Sequence, residues 1–199
     1  MEVSDKKNWY QEFKEWLKPE EFLAVKDREI GGHLFRGLIK IGNSPLVLNG
    51  DGIRTLNGKP LYAVGLYLPT FTQREDTAKA LIGARRTEIV ILQSLNAGEF
   101  IDSLHQGILN NTNETAREFI KEELLQLDKV MDELVDMIPG DQVDFDWIPN
   151  KGTFITYNEE VLGTPIRGKA LYDAVLSIWL GQNPLDEQLK KDLLTGKTD

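Results

Sequence analysis

The chain has 199 residues, 41 % of them hydrophobic and 28 % charged, which places it among globular proteins and excludes disordered and fibrous classes. It has no cysteine, so disulfides, thiolate metal sites, iron–sulfur clusters and cysteine nucleophiles are excluded together. Its 23 basic and 32 acidic residues give a net charge of −9, the wrong sign for neutralising phosphates. Nucleic acid and anionic membrane surfaces are therefore not expected as partners, whereas a small anion held by one cation stays open.

The N-terminal segment places Trp9, Phe13, Trp16 and Leu17 on one stripe of a 3.6-residue period, which predicts an amphipathic helix that Pro19 stops or restarts. Such a helix packs on the domain or offers its aromatic face to a partner. The segment lacks the apolar run of a secretory signal, and no stretch approaches the ~20 apolar residues of a membrane span. A soluble, cytoplasmic protein is expected, although a chain whose export signal had already been removed would read the same way.

Residues 34–68 read as strands. Leu38-Ile39-Lys40-Ile41 and Leu46-Val47-Leu48 are short apolar runs bounded by Gly42-Asn43-Ser44-Pro45 and Asn49-Gly50-Asp51-Gly52, both taken as turns. The near-continuous apolar run 61–68 predicts a strand buried on both faces. Thr72 with Glu75 three residues later matches a capping box, predicting a short helix through Ala78, Ala80 and Leu81. Residues 88–92 return to strand.

Asn96 with Glu99 opens a helix carrying Phe100, Leu104 and Ile108 on one face. A single longer helix is predicted over 113–138, with Ala116, Ile120, Leu124, Leu127, Met131, Leu134 and Ile138 inward. Asp128, Asp132 and Asp136 recur along its polar face, a ladder that reads as solvated rather than as a metal site. Residues 143–147 and 153–157 form a hairpin about Pro149-Asn150-Lys151-Gly152. Two terminal helices follow, one ending at Gly181 and one after Pro184. Strands group before residue 95 and again over 143–166, with helices between and after. That grouping predicts α+β, an antiparallel sheet with helices on one face.

Most catalytic templates fail. The sequence has no Gly-rich nucleotide loop, no nucleophile elbow and no HExxH, and its two histidines, His33 and His105, share no ligand spacing, so neither metal nor cofactor is expected. The charged residue that stands out is Arg54, placed just ahead of the apolar 61–68 strand. A guanidinium there can fork onto a carboxylate or phenolate, or serve structurally by bonding carbonyls or Asp51, which itself is expected to face water. Tyr62, within the apolar strand, has a hydroxyl that needs a partner if buried.

The ordered set Leu46–Thr55 (LVLNGDGIRT), Tyr62–Pro69 (YAVGLYLP), Gly163–Lys169 (GTPIRGK), Ala174–Gly181 (AVLSIWLG) and Pro184 resembles the chalcone isomerase family, and its chalcone isomerase-like branch above all. The resemblance spans residues 35 to 196, with 1–30 left as an N-terminal helical extension and 31–199 as the domain. It implies an open-faced β-sandwich, a large antiparallel sheet with helices layered on one face and a ligand cleft between. In the plant enzymes of that family, intramolecular lyases that use no cofactor, an Arg stabilises the phenolate of a chalcone that closes to a flavanone. A Tyr, an Asn and two Thr bond around it. That Arg falls on Arg54. The strand Thr falls on Tyr62, the helix Tyr on Phe100, the Asn on Gly107, and the last Thr beside Gly163, one position from Thr164.

Arg followed by Tyr at the Tyr62 position is instead the pattern of the fatty-acid-binding members of this fold. The leading expectation is thus a non-catalytic protein binding a fatty acid or similar apolar carboxylate, with Arg54, Tyr62, Phe100 and Thr164 at the ligand. Cyclisation of a chalcone or related phenolic ligand with Arg54 as the catalytic cation is the alternative, and a partner-binding role for the N-terminal aromatic helix is a third. Burying about eight methylenes at ~0.8 kcal/mol each gives ~6 kcal/mol. Charge-assisted bonds to the head group add roughly 1.5–3 kcal/mol before the entropic cost of binding, so affinity requires no catalysis.

Overall fold

The structure is a computed structural model that describes residues 26–195, so the predicted N-terminal amphipathic helix lies outside the described residues. The first two strands, β1 (Arg28–Ile30) and β2 (His33–Phe35), pair only with each other. Seven more follow: β3 (Leu38–Ile41), β4 (Ser44–Leu56), β5 (Lys59–Leu68), β6 (Arg85–Ile91), β7 (Gln142–Ile148), β8 (Gly152–Tyr157) and β9 (Glu160–Ile166). They form one sheet in sequence order, antiparallel at each step. The helices are α1 (Glu75–Ala80), α2 (Ala97–Asn111), α3 (Glu114–Phe119), α4 (Lys121–Met131), α5 (Lys169–Leu180) and α6 (Glu187–Thr195). The predicted α+β class and antiparallel topology are those observed.

The side-chain period of a strand divides the core into two layers. On β5, Tyr62, Val64, Leu66 and Leu68 face α2, α5 and α6 and join the larger apolar cluster. Ala63 and Tyr67 face the opposite way, toward Phe35 of the β1–β2 pair. Residues 61–68 therefore read as doubly buried because both faces are covered. Gly65 is required there, since a Cβ would stand 2.6 Å from the Phe35 ring. Asn96 caps α2 as predicted, accepting the Glu99 N–H at 3.2 Å.

Three local expectations are overturned. Asn49-Gly50-Asp51-Gly52 is not a turn but the middle of β4, which runs 13 residues with a bulge between Leu48 and Gly50. The glycines serve close approach instead: a Cβ on Gly50 would strike the Asp192 and Leu193 backbone of α6, and one on Gly52 would lie 2.8 Å from Leu189. The chain reverses later, at Asn57-Gly58, where φ values of 52° and 75° suit a tight hairpin with both central residues left-handed.

The capping box also fails. Thr72 Oγ1 accepts the Arg74 N–H at 3.2 Å, α1 begins only at Glu75, and the Glu75 carboxylate pairs with Lys79 and Lys190. Nor is 113–138 one helix. It breaks at Ile120 between α3 and α4 and ends after Met131. Beyond that point Met137 exchanges backbone hydrogen bonds with Leu95, and Asp136 accepts the Ala97 N–H at the start of α2. These tertiary bonds replace the helical ones that the apolar spacing alone predicts.

Candidate functional site

The site begins with the register of one hairpin. Arg54 on β4 and Tyr62 on β5 are direct cross-strand partners, so both side chains project to the helical face. Gly50 and Gly52 precede Arg54 on that face, and α6 rests against them. This contact carries the residue just before α6, Asp186, to Arg54: Nη1 donates to Asp186 Oδ2 at 3.3 Å and to the Thr55 carbonyl at 2.9 Å. Asp186 also accepts the backbone N–H groups of Thr55, Gln188 and Leu189. Burial alone would raise its pKa. Those N–H groups and the guanidinium outweigh it and hold the carboxyl below the usual range.

Tyr62 is 2 % exposed and meets Phe100 of α2 edge to face, with centroids 6.1 Å apart. Its hydroxyl has no hydrogen-bond partner among the described residues, and neither has the indole Nε1 of Trp179 on α5. Burial pushes the Tyr62 phenol up, while Trp179 and Arg54, close enough to act on it without meeting hydrogen-bond geometry, pull part of the way back. Buried hydroxyl and indole groups left unpaired carry a desolvation cost of roughly 1–3 kcal/mol each. A guanidinium and two unpaired donors thus converge beneath α5, at the edge of an apolar core that includes Val64, Leu104 and Phe145. Such a group can hold a carboxylate, a phenolate or a carbonyl oxygen. Other unpartnered buried atoms, among them Thr87 Oγ1 and Tyr172 Oη, stand near the fully buried Arg85, whose Nη1 and Nη2 donate to the Lys79 and Leu81 carbonyls while its Nε is left without a partner.

The structure brings Arg54, Tyr62 and Phe100 together and leaves the remaining candidate apart. Thr164 is exposed on β9, four strands from β5 at the far edge of the sheet. Gly107 lies two turns beyond Phe100 on α2, where a Cβ would stand 2.7 Å from Ile178. Asp51 does not face water; it is 5 % exposed and binds Arg28 at 2.6 Å on the opposite face of the sheet. Each histidine has its own acid, His33 with Glu88 and His105 with Asp128. Among the described residues no three His, Asp or Glu side chains cluster as metal ligands. A cleft of about 630 Å³ opens between α2, α3 and α5, lined by Asn111, Ala116, Phe119, Ala174 and Ser177, and Arg54 and Tyr62 are not part of its wall.

Two site residues escape a reading of the sequence. Trp179 sits in the apolar stripe of α5, and only the need of an indole N–H for a partner marks it. Asp186 three residues before Leu189 carries the signal of a helix N-cap, the one feature that could have located it.

Comparison with known proteins identifies the family and the fold. The profile of the family described as chalcone isomerase-like covers residues 27–195. The chain belongs to the chalcone isomerase-like family. Among solved structures, this family member resembles a fatty-acid binding protein of Arabidopsis thaliana, with a TM-score of 0.61 and 16 % identity over 89 % of this chain and 94 % of that one. At that identity the likeness concerns the chalcone isomerase-like fold. No curated protein matches the sequence. Among the described residues, no helix is long and apolar enough to cross a membrane.

Proposed function

We propose that this protein binds a fatty acid or similar apolar carboxylate, with the head group at Arg54, Tyr62 and Trp179 and the tail among the apolar side chains between the sheet and the helices. The observation that carries this reading is the pair of buried, unpartnered donors, Tyr62 Oη and Trp179 Nε1, beside the Arg54 guanidinium. Polar atoms in a core are almost always paired, and a ligand oxygen would pair both. The resemblance in fold to a fatty-acid binding protein of Arabidopsis thaliana supports the ligand class. In this reading Phe100 fixes the Tyr62 ring and Thr164 takes no part.

Binding is favoured over catalysis for a specific reason. Where the enzymes of this fold place a helix Tyr and an Asn, this chain has Phe100 and Gly107, neither of which has a side-chain hydrogen-bonding group. The deciding experiment is mass spectrometry of lipids extracted from protein purified without detergent, followed by titration with medium- and long-chain fatty acids. Co-purifying carboxylic acids and saturable binding are expected; a protein that carries and binds none is not a fatty-acid binder.

A further inference from the structure

The proposed carboxylate would meet an Arg54 that already has an anion. Asp186 Oδ2 lies 3.3 Å from Arg54 Nη1, and the two side chains are 15 % and 14 % exposed. A second carboxylate at the same guanidinium would stand close to Asp186 in a poorly solvated place, where like charges repel strongly. The two oxygens of Asp186 divide its work. Oδ1 accepts the N–H groups of Gln188 and Leu189 at the start of α6, and Oδ2 takes Arg54 and the Thr55 N–H. Capping the helix is thus separable from neutralising the arginine.

We infer that Asp186 is an internal counter-ion that competes with the ligand carboxylate for Arg54, and so sets how strongly the site prefers an ionised acid over an uncharged acyl compound. This rests on the carboxylate reading of the site. An ester carbonyl can accept from Tyr62 Oη and Trp179 Nε1 with the Arg54–Asp186 pair intact, whereas an ionised acid must share or displace Asp186. The exchange is local because Oδ1 keeps its hold on α6 throughout.

Asp186→Asn tests this directly, since an Asn keeps the capping oxygen and removes the charge. Affinities for decanoate and methyl decanoate are measured by displacement of a fluorescent fatty acid from wild type and variant, with thermal melts to verify folding. The acid-to-ester affinity ratio is expected to rise about tenfold or more in Asp186→Asn, the scale of a close charge pair. Adding Arg54→Ala should abolish that rise. An unchanged ratio overturns the counter-ion role and leaves the carboxylate site standing. A lower ratio also overturns it, by making Asp186 a residue that orients Arg54 for the ligand. Failure of decanoate to bind either protein overturns the carboxylate site itself, and the counter-ion role with it. If the Asn variant does not fold, Asp186→Ser, a second capping residue without charge, carries the same measurement.

Discussion

Arg54 and Tyr62 face each other directly across the β4–β5 ladder, eight positions apart in sequence and joined by the Asn57-Gly58 turn. Their relative placement is therefore fixed by one hairpin, through the strand register and the turn that sets it. The other two members of the group arrive from elsewhere: Trp179 when α5 packs over the sheet, and Asp186 when α6 settles on Gly50 and Gly52. Half of the site is local and half depends on the completed fold.

Arg54→Ala should separate binding from stability. Truncating one partner of a buried charge pair costs about 2–5 kcal/mol of binding, so fatty-acid affinity should fall at least about thirtyfold. Asp186 retains three backbone N–H donors without Arg54, which limits the loss of fold stability to about 1–2 kcal/mol. Calorimetric titration and a denaturant melt measure the two quantities. Equal affinity in both proteins would make the arginine purely structural.

Chalcone cyclisation should be negligible. An oriented donor on developing charge is worth about 2.7–4 kcal/mol, or ~10²–10³ in rate. Phe100 provides none, and Gly107 is pressed against Ile178 with no room for the missing Asn without displacing α5. The assay is flavanone formation resolved by stereoisomer. Stereoselective turnover well above the spontaneous rate, lost in Arg54→Ala, would reinstate an enzyme.

How far the sequence reveals this molecule depends on where each constraint resides. Strand β5 was legible because both of its faces are apolar, and α2 because its cap and its apolar face agree. The stretch 49–52 reads as a turn because glycine serves turns and close packing alike, and the partner that explains Gly50 is α6, more than 130 residues away. The same distance concealed Asp186. Asp51 is the acid nearest to Arg54 in sequence, but the strand's alternation sends it to the opposite face and Arg28. Thr164 is implied by the family resemblance alone, and no physical pattern in the chain ties it to Arg54.

The opposite face offers a pH test. Asp144, beneath the sheet with Arg86, Glu88 and Asp146, has its pKa pushed up to about 7, chiefly by burial. Arg86 and Gln142 oppose that shift, and the two acids add to it. Tyr67 and the His33–Glu88 pair belong to the same neighbourhood. Between pH ~4 and ~7 the unfolded chain releases a proton that the folded one keeps, so this residue reduces stability as pH rises, by about 1.4 kcal/mol for each unit between the two pKa values. Above about 7 the loss is complete. Asp144→Asn should match wild type near pH 4 and melt several degrees higher at pH 8. A variant that melts lower at pH 8 would mean that the Asp144–Arg86 contact at 3.3 Å outweighs the burial cost.

Tyr62→Phe should give opposite signs for stability and binding. The hydroxyl is buried without a partner, so in delipidated protein its removal relieves a desolvation cost of roughly 1–3 kcal/mol while the ring keeps its edge-to-face contact with Phe100. The melting temperature should rise by a few degrees. Fatty-acid affinity should fall by about 0.5–1.5 kcal/mol, one hydrogen bond to the head group. Stabilisation together with weakened binding is the signature of a group retained for a ligand at the expense of the fold. If instead the melting temperature falls, the hydroxyl bonds to Trp179, Arg54 or water in solution. If binding is unchanged while stability rises, the head group lies beyond its reach, and Trp179 with Arg54 must hold it alone.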